Sequence, residues 1–225
     1  MRRSVIVRLA AASGILYGVM EIVGDSLSTT TSSSSSPSQV AAYFAAHAPT
    51  PSTWAGMYIE TFGAFAILLF GAYLWSLVGN REDGRLLAVL VLSTAIIQSC
   101  VIFAGEPAKA AAFYRAGQGQ LDPQSASTLL DLNNASFLAG FMAQAVMVAA
   151  ASGLALVTGI FSRWLALPGF VVAAALLIVI TSPPSSNLPV AVNLVFFLWL
   201  AVTSGALVWR APLLAKRWSS QPAAA

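Results

Sequence analysis

The chain has 225 residues, of which 58% are hydrophobic and only 8% charged, with a formal net charge of +3. A soluble domain carries roughly 25% charged residues, so this composition, with a mean hydropathy of +0.79, excludes a water-soluble fold and calls for lipid as the main solvent. The basic residues are scattered at segment ends without forming a patch, which argues against nucleic acid as a partner, and the single cysteine, Cys100, can form no internal disulfide.

A spanning helix needs about 20 mostly apolar residues, and six stretches meet that need, which predicts an all-α polytopic membrane bundle of six transmembrane helices. The opening "MRRSVIVRLAAASGILYGVMEIVG" starts like a signal peptide but runs long and ends in acids, so it reads as an uncleaved first span over Ile6–Val23. Residues 26–52, "SLSTTTSSSSSPSQVAAYFAAHAPTPS", form a Ser/Thr-rich extracytoplasmic loop. Within it Pro37 opens a short helix, Ser38–Ala48, closed by Pro49 and Pro51.

The second span follows at Trp54–Val78, then the charged turn "NREDGR" and the third span at Leu86–Gly105. An extramembrane helix beginning at Asp122-Pro123 runs into the fourth span, Ala135–Gly159. The fifth span, Leu165–Thr181, and the sixth, Leu188–Val208, complete a single domain over residues 1–225. There is no long-period internal repeat, the signature of many transporters.

With the amino terminus inside, the cytoplasmic side holds nine basic residues: Arg2, Arg3, Arg8, Arg81, Arg85, Arg163, Arg210, Lys216 and Arg217. The opposite side holds only Lys109 and Arg115. That asymmetry follows the positive-inside rule and places both termini in the cytoplasm, with Trp54, Trp75, Trp164 and Trp209 as interfacial anchors.

Six of the eight acids, Glu21, Asp25, Glu60, Glu106, Asp122 and Asp131, fall in the extracytoplasmic half or its loops. In the first span Gly14, Gly18, Glu21 and Asp25 share one helical stripe, and Gly14 and Gly18 form a small-residue packing pair. Gly56, Glu60 and Gly63 share a stripe in the second span, with Gly71 further along it, and Asn133, Ser136, Gly140 and Gln144 share one in the fourth. Gln98 and Asn193 add polar groups in the third and sixth spans. The fifth, "LALPGFVVAAALLIVI", has no strong polar group and reads as peripheral, with the first, second and fourth helices at the polar centre.

A carboxylate facing lipid costs several kcal/mol. Glu21, Glu60, Gln98, Gln144 and Asn193 are therefore expected to line one outward-facing pocket, against the alternative that both glutamates are simply hydrated at the interface. Burial and mutual repulsion favour a proton on at least one of the two glutamates. Should Lys109 or Arg115 fold back from beyond the third span, the pocket would instead be an ion-pair network.

Other chemistry finds little support. Glu106 precedes Pro107 and reads as a helix-end residue, and Asp131, Asn133 and Asn134 read equally as solvation of the fourth helix's start. His47, the single histidine, has no ligand-spaced partner for a metal. The serine run has no base beside it, and no phosphate loop, H-E-x-x-H or C-x-x-C motif is present, so neither a catalytic residue nor a cofactor is assigned.

The order of a basic amino terminus, the "QVAAYFAAHA" helix, a Glu-bearing second span, a charged turn and "FSRWLALPG" resembles a large family of bacterial six-span membrane proteins classed only as a domain of unknown function. That family typically carries a Pro-Arg-Trp-Leu turn before its fifth span; Arg163, Trp164 and Leu165 match it, and Ser162 stands in place of the proline. The resemblance implies the architecture and no chemistry. Together with the Ala-rich composition it implies a bacterial cytoplasmic membrane.

Three functions compete. The acidic pocket favours binding or transport of a small molecule, a cation or a proton. The lack of repeats and of a catalytic set suits an accessory or sensory subunit that meets a membrane-protein partner through its loop. An intramembrane enzyme using carboxylates as acid and base has least support.

The orientation is open to direct test. In a Cys100-free background, a membrane-impermeant thiol reagent added from outside should label a cysteine at Ser34 and spare one at Glu82. The reverse pattern overturns the inward placement of the termini.

Overall fold

The computed structural model describes residues 2–28, 30, 35–47, 49–78, 82–182 and 187–219, with side chains described between Val5 and Arg210. Ser34, Arg81 and most of the serine run lie outside the described residues, as do the side chains of Arg2, Arg3, Lys216 and Arg217. Among the described residues every regular element is helical: α1 (Arg2–Leu27), α2 (Pro37–Ala46), α3 (Pro51–Ser76), α4 (Arg85–Gly117), α5 (Pro123–Thr158), α6 (Arg163–Val179) and α7 (Leu188–Ser219).

Five of these, α1, α3, α4, α5 and α7, are long and apolar enough to cross a membrane. The expected fifth span, α6, is apolar but has 17 residues, at the lower limit of about 17 for a crossing. The chain is a multi-pass helical membrane bundle.

Local chemistry sets the helix ends. Ser36 caps α2 and Thr50 caps α3, each in a reciprocal box with the residue three positions on, Gln39 and Thr53. Pro37, Pro51 and Pro123 occupy first-turn positions, where the missing N–H costs nothing. Pro51 therefore opens α3 instead of closing α2, which ends at Ala46. The Asp122 carboxylate accepts from the Ser125 backbone N–H at 3.0 Å at the start of α5, and these hydrogen bonds hold it below the usual carboxylate range. Gly159, at φ 67°, stops α5 with the left-handed turn that glycine makes without strain.

The six larger helices close a ring. α1 packs on α3, α3 on α4, α4 on α5, α5 on α6, α6 on α7, and α7 returns to α1. α6 is thus an ordinary member of that ring, with Ala166, Gly169, Val172, Ala173 and Leu176 facing inward and Val171 and Ile178 facing outward. Aromatic side chains fill the middle: Tyr17, Phe70, Phe141 and Phe196 are all fully buried.

A second, smaller core lies at the distal end, opposite the amino terminus. There Val40 and Phe44 of α2 dock on Met57, Ala112, Phe113, Ala126 and Leu130. Phe44 meets Phe113 edge-on at 4.9 Å, a geometry that suits the aromatic quadrupole.

α4 departs most from expectation. The sequence predicts a third span ending at Gly105, yet the helix continues through Pro107 to Gly117. Proline removes one intrahelical hydrogen bond without ending a helix whose neighbours hold it in place. At about 1.5 Å per residue the 33 residues of α4 reach roughly 50 Å, well past a hydrocarbon core of ~30 Å.

Glycines decide where helices touch. A Cβ on Gly56 would lie 2.7 Å from the Gly24 carbonyl oxygen and 2.8 Å from Leu27 Cβ, so the backbones of α1 and α3 meet there. The expected small-residue pair also packs, with Gly14 against Ser204, Phe70 and Leu200 and Gly18 against Phe197. Gly56→Ala should cost about 1–3 kcal/mol by overpacking, read as a lower midpoint of thermal unfolding in detergent. Gly205→Ala, which meets nothing within 4 Å, should leave the midpoint unchanged or raise it. Equal midpoints for the two variants would contradict the close crossing.

Candidate functional site

The acids and amides converge near the distal end. α1 contributes Tyr17 and Glu21, and α3 contributes Glu60. α4 brings Gln98, Gly105 and Glu106, α5 brings Asn133, Ser136, Gly140 and Gln144, and α7 brings Asn193. All these residues line one cavity, and the five side chains singled out in the sequence, Glu21, Glu60, Gln98, Gln144 and Asn193, are among them. α6 contributes nothing to it, whereas α4 contributes more than expected.

The cavity is small, about 50 Å³. One water needs roughly 10–15 Å³ on this measure, so the space suits a few waters or a small ion. A drug-sized ligand needs about 300–1,000 Å³ and does not fit.

Small residues make the room. Gly63 has no side chain where Glu21 Oε1 lies, 2.9 Å from the position a Cβ would take. Gly140 does the same for the Gln98 carboxamide, and Gly24 for Glu60 Cγ. Tyr17 OH accepts from Gln98 Nε2 at 3.1 Å, which leaves Gln98 Oε1 toward the cavity. Glu21 Oε1, Gln98 Oε1, Gln144 Oε1 and Asn193 Oδ1 are buried and accept no hydrogen bond from the described residues. Glu106 Oε2, also on this wall, has no hydrogen bond either, so the unsatisfied groups there are oxygens, two of them from carboxylates.

Beside the cavity sits an ion cluster that extends beyond the five singled-out residues. Lys109 Nζ lies 2.9 Å from Glu60 Oε2 and 3.1 Å from Glu106 Oε2. The first contact is a hydrogen bond; the second has the distance of an ion pair without the alignment of a hydrogen bond. Ser28 Oγ is 2.6 Å from Glu60 Oε1 and 2.9 Å from the Gly24 carbonyl, and it accepts from Lys109 Nζ at 3.1 Å. Lys109 is 4% exposed, Glu60 6%, Glu106 9% and Ser28 1%.

These positions revise several expectations. Lys109 is no loop residue: the continuation of α4 turns it into the bundle, producing the ion-pair network that the sequence left as the alternative. Glu106 is a mid-helix residue of the cluster, not a helix end. Asn133 donates to the Gly105 carbonyl at 3.2 Å and joins the cavity wall, while Asp131 stays exposed. Asp25 is also exposed.

The missed members had a signal. Tyr17, Glu21, Gly24 and Ser28 stand at i, i+4, i+7 and i+11, and so do Gln98, Ile102, Gly105 and Lys109, which puts each set on one helical face.

Depth along the helix does not explain the burial. Lys109 lies 24 positions after Arg85, roughly 36 Å along α4, at the far edge of a ~30 Å hydrocarbon layer. Protein, not lipid, excludes water there: α2 lies over α4 and α5 and roofs the cluster.

Removing one partner of a buried ion pair typically costs about 3–5 kcal/mol. Lys109→Met should lower the unfolding midpoint accordingly, because Glu60 and Glu106 then face each other uncompensated. Protonation removes that charge, so the deficit should be largest at alkaline pH and shrink as pH falls. A deficit that does not change with pH would mean that no carboxylate charge is buried there. Comparison with known proteins supplies no second view of the cluster: no family model, curated protein or solved structure matches the chain.

Proposed function

We propose that the protein is a multi-pass protein of a bacterial cytoplasmic membrane, with both termini in the cytoplasm, that binds a proton or a small monovalent cation in its distal cavity. Charge balance carries the reading. Among the described residues three carboxylates, Glu21, Glu60 and Glu106, line the cavity, and a single ammonium, Lys109, pairs with the last two, a formal excess of two negative charges when all are ionised. An excess of that kind in a water-poor bundle calls for a compensating cation, and the cavity has room for one of atomic size.

The orientation is supported by basic residues that are now even more unequal. With Lys109 counted in the bundle, Arg115 faces nine residues on the other side. The distal cavity then opens toward the outside. Membership of the six-span family of unknown function rests on the "QVAAYFAAHA" and Arg163-Trp164-Leu165 matches.

Infrared difference spectra of the carboxyl groups provide the test. An exposed glutamate titrates near about 4.3, so carboxyl changes between roughly pH 5 and 9 report buried groups. The wild type should show such changes, or show them suppressed by sodium or potassium if a metal cation occupies the site. Glu21→Gln should keep the fold and remove part of the signal. A wild-type spectrum that is flat over this range and indifferent to both cations overturns the proposal.

A further inference from the structure

The proximal end of the bundle, which carries the amino terminus, is divided by charge. Arg81 and Arg85 stand in the turn between α3 and α4 with Glu82 and Asp83, so that turn is neutral as a whole. The remaining seven basic residues of this end belong to α1 (Arg2, Arg3, Arg8), α6 (Arg163) and α7 (Arg210, Lys216, Arg217). Those three helices are consecutive in the ring, α6 on α7 and α7 on α1. Neither α6 nor α7 contains an acid, and α1 has none before Glu21. Glu82 and Asp83 lie elsewhere, lining a concavity with Val157 and Thr158 at the end of α5.

Packing sets the basic residues level with one another. α1 and α7 run antiparallel, with Gly14 against Leu200 and Ser204 and Gly18 against Phe197. That register brings Arg8 to the height of Trp209 and Arg210. Arg210 Nη1 donates to the Ile160 carbonyl at 3.1 Å, which ties α7 to the turn from which Arg163 opens α6. The bond uses one of the five guanidinium N–H groups. Arg8 and Arg163 are exposed, and Arg210 is half-buried.

Their depth is that of lipid headgroups. Trp209 lies 21 positions after Leu188, roughly 32 Å along α7, where the helix leaves a hydrocarbon layer of ~30 Å. Trp164 and Trp209 are 85% and 86% exposed, as suits rings at that level. Beyond Arg210 the helix runs on through Lys216 and Arg217 to Ser219, into and past the headgroup layer.

We propose that the α6–α7–α1 side of the proximal end binds the phosphate of an anionic phospholipid, with Arg8, Arg163 and Arg210 as donors. Arg2, Arg3, Lys216 and Arg217, whose side chains lie outside the described residues, add charge by chain position alone. The site is separate from the distal cavity and does not rest on it. Guanidinium suits this ligand because its N–H fork matches the oxygens of a phosphate. A lipid also brings acyl chains to the exposed apolar flanks of α1 and α7, Leu9 and Val202 among them, from which a soluble anion gains nothing. Basic residues grouped beside a membrane span attract anionic headgroups, each by about 1 kcal/mol, or roughly 5-fold in affinity.

Lipid binding by the full chain in a neutral detergent, read by native mass spectrometry, tests the site. The probes are phosphatidylglycerol and phosphatidylcholine with the same acyl chains, and phosphatidylglycerol should bind more tightly. Arg8→Gln and Arg163→Gln, at exposed positions, should each lower its affinity roughly 5-fold. Arg8→Lys and Arg163→Lys should keep most of it, because the charge stays. Arg85→Gln removes the same charge from the neutral turn and should change the affinity less than about 2-fold. Millimolar inorganic phosphate should not displace the lipid. Equal affinity for the two lipids, unchanged affinity in both Gln variants of α1 and α6, an equal loss in Arg85→Gln, or displacement by inorganic phosphate overturns the proposal. None of these results bears on the distal cavity.

Discussion

The position of one ammonium group constrains the distal half of this bundle. Carboxylates from α1, α3 and α4 are brought together where water is scarce, and among the described residues only Lys109 offsets them directly. In water such a cluster would be weakly coupled. In a medium of low effective dielectric each uncompensated charge becomes expensive, so helix placement, the proline in α4 and the roof formed by α2 all bear on the same electrostatic problem.

Lys109 reaches Glu60 only because α4 does not stop at Pro107. The Asn133 amide on the Gly105 carbonyl and the packing of α5 hold the helix through that point. On the other side, the contact of Gly24 with Gly56 draws α1 against α3 closely enough for Ser28 to bridge Glu60 and Lys109. A bulkier residue at either glycine would separate the groups that the ion cluster needs together. Backbone approach and charge pairing are therefore one feature of the structure, seen from two sides.

The distal cap does a different job. Its aromatic contacts, Phe44 on Phe113 and Tyr43 on His47, are those of an ordinary small hydrophobic core. Their consequence is electrostatic, because the cap covers acids whose depth alone would leave them at the membrane surface. Both sequence-level readings of Glu60, interfacial or buried, contain part of the truth: the residue sits near the distal boundary and is covered by protein.

Composition and periodicity by themselves determined that this chain is a helical membrane bundle, where most of its helices lie, and that α5 presents Asn133, Ser136, Gly140 and Gln144 on one face. These are local properties, set by the length of apolar runs and the 3.6-residue repeat. The convergence of Glu21, Glu60, Gln98, Gln144 and Asn193 was legible for the same reason, since polar groups on small-residue stripes have few places to face but inward. Glu106 and Lys109 were not, because proline is a sound stop signal in an isolated helix and "EPAK" reads as a terminus. Whether α4 ends or continues there depends on neighbours far away in sequence that hold the helix past its missing hydrogen bond. The partner of Glu60 was thus decided by tertiary packing, which alone determines whether a lysine beyond a proline ends in a loop or inside the bundle.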